Sequence, residues 1–227
     1  MKAIELLFEN SDFAIINKPA NLNFHSEEEA GVVVLATQLL HVKQLYSVHR
    51  LDKMTSGLLI LAKTKQAASE FTRLFETRQI QKYYLAIALR KPKKKQGWIK
   101  GDMVSARRGN YKFSNTSQNP AITQFVSTSL RPNERLYLIK PHTGKTHQIR
   151  VALKSIGAPI AGDIRYANAD EAKKEDRGYL HAFSLRFHFK DEAYCFTCKP
   201  DEGERFLSLT CKDQLEAYSK PWTLFKH

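Results

Sequence analysis

The run Ser47-Val48-His49-Arg50-Leu51-Asp52-Lys53-Met54-Thr55-Ser56-Gly57 sets one carboxylate among cations, hydroxyls and a glycine, directly before the apolar stretch Leu58–Ala62. A polar turn that feeds an apolar strand holds its functional groups on a loop anchored by a sheet, where catalytic groups commonly sit. The same residues fit a tight turn in which Asp52 and Thr55 merely satisfy backbone donors. A second run, Arg107-Arg108-Gly109-Asn110-Tyr111-Lys112-Phe113, interleaves rings with cations. Rings stack on unpaired bases at about 1–3 kcal/mol each while Arg and Lys meet phosphates. An exposed hairpin turn accounts for that run equally well. Cys195 and Cys198 form a C-x-x-C inside a strand-like stretch, where an odd separation sends the two thiols to opposite faces. With no second such pair, two structural cysteines are expected and no metal site.

Strands must carry these groups. Two-fold alternation and β-branched or aromatic residues predict them near Phe13–Asn17, Leu58–Ala62, Tyr83–Leu89, Thr123–Ser129, Arg135–Ile139, Leu180–Phe189 and Ala193–Thr197. Helical spacing predicts one helix around Val33, Ala36 and Leu40 and a second around Ala67, Phe71, Leu74 and Phe75. A third joins Ile149, Ala152, Leu153 and Ile156 and stops at Gly157 and Pro159, and a tail helix covers Asp213–Tyr218. Strands outnumber helices without regular alternation, so an α+β chain around a large mixed sheet is expected. Arg90–Gly97 reads as a basic turn and Ser114–Pro120 as a polar loop. Neither is long enough to divide domains, so residues 1–227 read as one domain.

The chain carries 36 Lys and Arg against 23 Asp and Glu, a formal charge of +13, which favours a polyanionic partner. A membrane span needs roughly 20 consecutive apolar residues, and stretches such as Val32–Ala36 fall well short. The start Met1-Lys2-Ala3-Ile4-Glu5 lacks the pattern of a secretory signal, so a cytoplasmic protein is expected. Three cysteines, an odd number, suit a reducing compartment.

His49-Arg50-Leu51-Asp52-x-x-Thr55-Ser56-Gly57 resembles the H-R-L-D-x-x-T-S-G signature of the RluA family of RNA pseudouridine synthases. Further blocks follow in the family's order. Asn17-Lys18-Pro19 resembles its N-K-P, Lys82-Tyr83-Tyr84-Leu85-Ala86 its K-x-Y-x-A strand, and Gly144-Lys145-Thr146-His147-Gln148-Ile149-Arg150 its G-R/K-x-H-Q-I-R. Pro159-Ile160-Ala161-Gly162-Asp163-x-x-Tyr166 and Leu180-His181-Ala182 complete the set, which spans roughly residues 8 to 190. Asn21 replaces the family's usual Gly, a tolerable exchange because Asn also enters left-handed conformations. Met54 stands where the family often has Asp or Pro. Asn17 lies near the start of the sequence, so no S4-type RNA-binding domain is expected before it.

The resemblance implies the pseudouridine synthase catalytic fold, a large, mixed, mainly antiparallel sheet with flanking helices and an RNA-binding cleft. It implies an isomerase needing no cofactor or metal. Asp52 takes the nucleophile's role. Arg150 is its matched partner, since a guanidinium beside a sequestered carboxylate favours the ionised form, although a phosphate contact at a helix start would also explain it. Tyr84 matches the active-site tyrosine that stacks on uracil or takes a sugar proton, and it could instead be core; Tyr83 faces the other way and is expected in the core. Arg50 and His49 are placed to fill the space of an extruded base or hold the RNA backbone, Thr55 to shape the turn beside the substrate, and Arg107 and Arg108 to meet RNA. The implied partner is a stem-loop of ribosomal or transfer RNA, met by a monomer. Two rivals are an RNA chaperone with idle chemistry on the same fold, and a glycosidase or nuclease, which usually needs a second carboxylate or a metal cluster.

Overall fold

The computed structural model describes residues 3–24 and 30–225. In chain order the described elements are β1 (Glu5–Glu9), β2 (Phe13–Lys18), α1 (Val32–Leu39), β3 (Tyr46–Ser47), β4 (Ser56–Ala62), α2 (Lys65–Glu76), β5 (Gln81–Ala88), β6 (Gln96–Gly101), β7 (Met103–Ser105) and β8 (Tyr111–Phe113). They continue with β9 (Ala121–Arg131), β10 (Glu134–Pro141), α3 (Gln148–Ser155), α4 (Ala169–Ala172), β11 (Leu180–Phe189), β12 (Glu192–Thr197) and α5 (Leu209–Ala217). The chain divides into two compact units, Met1–Lys82 with His181–Lys199, and Tyr83–Leu180 with Pro200–His227.

In the first unit β1 pairs with β2, β2 with β4, β4 with β11 and β11 with β12, while the two-residue β3 adds to β4. Among the described pairs of this unit only β4–β11 is parallel, joining Ser56 to His181 and Gly57 to Ala182. Every residue of β2 and β4 is buried, so Phe13–Ile16 and Leu58–Ala62 are continuous apolar runs where two-fold alternation was expected. Helix α2 lays Ala67, Phe71 and Leu74 against this sheet's core, and its start is capped by the Thr64 hydroxyl, which accepts from the Ala67 amide. Phe71 stacks on Phe189 and meets Phe13 edge-on.

In the second unit β5, β10, β9 and β6 run antiparallel in that order. The chain from Gly101 to Phe113 adds a separate two-stranded hairpin, β7 with β8. Helix α3 buries Ile149, Val151, Ala152 and Leu153. The architecture is the expected α+β arrangement with a mixed, mainly antiparallel sheet. All seven predicted strands and all four predicted helices form. The tail helix begins earlier than its apolar spacing implied, at Leu209, because the Ser208 hydroxyl accepts from the Cys211 amide and caps it. The turn expected over Arg90–Gly97 ends sooner, since Gln96 and Gly97 pair with Val126 and Phe125 and open β6. Among the described residues no helix is long and apolar enough to cross a membrane.

Candidate functional site: the Asp52 loop and the Arg150 helix

Leu51 is the inward anchor of the Asp52 loop, 3% exposed, so its neighbours Arg50 and Asp52 point away from the core. Arg50 is exposed and Asp52 half-buried. The turn closes by a 2.9 Å bond from the Thr55 amide to the Asp52 carbonyl. Thr55 and Ser56 themselves are buried.

Three ties hold this turn to the first unit. Lys18, fully buried, donates its ammonium to the carbonyls of Pro19 at 2.8 Å, Leu22 at 2.9 Å and Lys53 at 3.3 Å, so one cation binds the residue after Asp52 to the start of the chain. Ser56 lies 2.7 Å from His181 Nδ1, while His181 Nε2 lies 2.8 Å from the Cys198 carbonyl. A carbonyl can only accept, so Nε2 carries the proton, Nδ1 accepts, and Ser56 donates. Gly57 adopts φ +102°, and a Cβ there would stand 2.3 Å from the Ala182 carbonyl oxygen, so only glycine permits the parallel strand to approach.

His49 turns its ring onto Phe75, with centroids 4.8 Å apart, and its Nε2 accepts the Ile60 amide at 2.9 Å. Burial, and then the charge of Lys82, push its pKa down to about 3, so the ring is neutral and serves as an acceptor. Of the loop residues expected near RNA, Arg50 therefore presents an open side chain, whereas His49 and Thr55 are engaged in holding the loop. Asn21, in place of the family's glycine, takes φ 63°, as its residue type allows.

The other site residues lie in the second unit. Tyr84 is half-buried on β5 next to the fully buried Tyr83, as strand alternation requires. Arg150 sits on α3 with 5% exposure, and Asp163, fully buried, grips it at two points: Nε to Oδ2 at 2.7 Å and a terminal nitrogen to Oδ1 at 2.8 Å. Such a fork fixes the guanidinium plane as well as its position. Gln148 explains another letter of the same motif. Its carbonyl accepts from the Thr143 hydroxyl at 2.7 Å and the Lys145 amide at 3.0 Å, and its amide nitrogen donates to the Ile122 carbonyl and the Thr123 hydroxyl. This buried brace ties the first turn of α3 to β9 and so aims Arg150. Arg107 and Arg108 are exposed at the tip of the β7–β8 hairpin, Arg108 at φ 58°.

Lys18, His181, Gln148 and Asp163 were not assigned roles from the sequence, although each falls inside a motif block. Their signal is a polar residue destined for burial, which neighbours in space and not in sequence make tolerable. Cys195 is exposed and Cys198 buried, and neither is joined in a disulfide. Among the described residues no three His, Cys, Asp or Glu side chains gather where they could hold a metal ion.

The fold and these two motif-borne centres define a protein that presents one carboxylate from a rigid loop and a locked guanidinium from a helix. The chain belongs to the RNA pseudouridylate synthase family, whose profile matches residues 12–155, and the RluA-type resemblance stands. It is 48% identical over 221 residues to an uncharacterized RNA pseudouridine synthase of Haemophilus influenzae, an alignment covering 96% of this chain and 98% of that protein. It is 35% identical over 202 residues to the ribosomal large subunit pseudouridine synthase D of Nitrosomonas europaea, covering 80% of this chain and 57% of that longer protein. Among solved structures, human RNA pseudouridylate synthase domain containing 1 shares the fold, with a TM-score of 0.76 over 96% of this chain and 95% of that one at 24% identity.

Proposed function

We propose that this chain isomerises selected uridines to pseudouridine in a stem-loop of ribosomal or transfer RNA, with Asp52 as nucleophile. The observation that carries the reading is the half-exposed Asp52 on a turn whose flanks are tied into the core by Lys18, Ser56 and Gly57. A turn that served only its own backbone would not need a buried ammonium and a buried Ser–His pair to hold it. Such preorganisation is what a positioned nucleophile requires.

The reaction breaks the bond from uracil N1 to the ribose, turns the detached base, and joins its C5 to the same ribose carbon. The hydrogen on C5 leaves and N1 gains one, so atoms and electrons balance without an oxidant or ATP. Asp52 assists departure of the base and holds the intermediate. Tyr84, half-buried beside the Tyr83 core position, stacks on the uracil or takes the sugar proton. Arg150 supplies fixed positive charge to the reaction or to a phosphate, and its Asp163 fork orients that charge before the substrate arrives. A uridine in a stem must be extruded first, at a cost of a few kcal/mol. Exposed Arg50 is suited to fill the gap, His49 and Thr55 to hold the loop that carries it, and Arg107 and Arg108 to grip the RNA backbone. The family match includes residues from both compact units, which supports reading the chain as one catalytic module. A monomer working in the cytoplasm, where its RNA is, fits the +13 charge.

The test is tritium release from RNA labelled at uridine C5, since forming the new carbon–carbon bond expels that hydrogen. Asp52→Ala should bind RNA as the parent does and release nothing. Equal release from the variant would refute the nucleophile, and a parent active in excess EDTA that frees no uracil excludes the nuclease and glycosidase readings. Carbodiimide mapping of total RNA with and without the gene then identifies the uridine.

A further inference from the structure

Within the second unit one tight turn joins the Arg150 centre to the basic hairpin, and its meaning rests on the role given to Arg150 above. The turn runs from Asp163 to Ala167: the amides of Tyr166 and Ala167 reach the Asp163 carbonyl at 3.2 and 2.8 Å, and those of Arg165 and Tyr166 reach its Oδ1 at 3.1 and 3.3 Å. At one side of this turn Asp163 forks Arg150. At the other, the Tyr166 hydroxyl accepts the Tyr111 amide of β8 at 2.9 Å, and the Arg165 guanidinium donates to the Arg108 carbonyl at the hairpin tip at 3.0 Å. The Tyr166 ring lies beneath the Arg150 guanidinium, whose central carbon is 5.0 Å from the ring centroid. His147, the left-handed residue that starts α3, lies 2.9 Å from the same hydroxyl through its Nδ1.

Tyr166, only 4% exposed, thus touches the hairpin and the α3 start through its oxygen, and through its ring Arg150 and, at 5.5 Å, the Lys154 ammonium. The hairpin needs this support. Two strands of three residues are marginal in water alone, and the tip residues Arg107, Arg108 and Gly109 are all exposed. We propose that Tyr166 is a positioning residue that couples RNA docking on the Arg107–Lys112 hairpin to the placement of Arg150. Phosphates drawn to Arg107 and Arg108 fix the hairpin, the Tyr111–Tyr166 bond passes that register to the ring, and the ring and Asp163 together set the guanidinium. Arg165 is the second, exposed strut of the same link.

The ring and the hydroxyl can be separated. Tyr166→Phe keeps the surface beneath Arg150 and removes the hydroxyl's ties to the Tyr111 amide and to His147, leaving the Arg165 strut in place. The probe is bulk RNA labelled with tritium at uridine C5, taken from cells lacking the gene, and the readouts are RNA affinity, single-turnover tritium release at saturating protein, and the thermal melt. In Tyr166→Phe, affinity should stay within about twofold while the release rate falls roughly tenfold, the scale of a slight misplacement of a reacting group. Adding Arg107→Ala and Arg108→Ala should then weaken binding but slow release little further, because the Tyr166 tie from the hairpin is already gone and only the Arg165 strut remains. Arg165→Ala should lower the rate in the same direction by roughly threefold. An active parent whose Tyr166→Phe variant reacts at the same rate per folded molecule, or rate losses that multiply fully across the combined variant, overturns the coupling. A parent that releases no tritium sinks the synthase reading instead, so the two failures are distinguishable.

Discussion

The Asp52 loop and the Arg107–Phe113 hairpin are both short, cation-rich turns, yet the structure treats them in opposite ways. The first is held from below by polar groups, the buried Lys18 ammonium under Lys53 and Ser56 against His181, and the half-buried His49 on the Ile60 amide. The second stands out on two three-residue strands, its arginines exposed, tied through the backbone and through Tyr166 and Arg165. A group that performs a reaction gains from having its geometry settled before substrate arrives. A group that meets a polyanion of variable shape gains from reach and charge, and needs little fixed geometry. Substitutions should therefore affect folding in the first region and salt-dependent affinity in the second.

The sharpest break of that contrast is Gly57→Ala. A methyl group 2.3 Å from the Ala182 oxygen, at a φ of +102°, cannot be absorbed without separating β4 from β11, and a loss of about 3 kcal/mol or more is expected in denaturant unfolding. Lys18→Met comes next. It keeps the buried stem but leaves the carbonyls of Pro19, Leu22 and Lys53 without that donor, for roughly 2–3 kcal/mol and a matching loss of activity as the Asp52 turn loosens.

His49 gives a pH signature. Its pKa falls from 6.5 in the unfolded chain to about 3 in the fold, so the unfolded state binds the extra proton first. Its contribution is complete above pH 6.5 and is lost progressively as the pH drops toward 3. Between pH 6.5 and about 4.5 the parent should lose up to roughly 2–3 kcal/mol that His49→Gln does not lose. Parallel stability curves for the two proteins would show that the fold does not hold His49 neutral.

Arg107→Ala with Arg108→Ala should give the smallest change in the melt, within about 0.5 kcal/mol, as expected of exposed positions. Its effect belongs to RNA affinity, whose dependence on salt should flatten by about one unit of log–log slope per cation removed. A large stability loss there, or an unchanged salt slope, would erase the contrast between the regions.

Periodicity located the elements that carry both regions because strand alternation and helix spacing are local properties of the chain. β2 and β4 were marked by β-branched and aromatic residues, and α2 and α3 by apolar residues at helical spacing. What periodicity passed over were β1, β3, β6, the β7–β8 hairpin strands and α4. These are short or exposed, and their pairing is decided by the strand they lie against; β6, for instance, follows a lysine-rich turn and forms because β9 offers it a register. The Cys195-to-Cys198 alternation was legible for the same local reason, with one thiol exposed and the other buried.

By itself the sequence determined the α+β class, the positive charge, and the candidate residues Asp52, Tyr84 and Arg150, since residue type, local spacing and motif order are written along the chain. Only the tertiary structure decided what holds them. Lys18 and His181 meet the Asp52 loop, and Asp163 and Tyr166 meet Arg150, across separations in sequence that no local pattern encodes. Burial supplies the reason: charged and polar side chains tolerate removal from water only where partners from distant strands and turns close around them, and those partners exist only once the chain has folded.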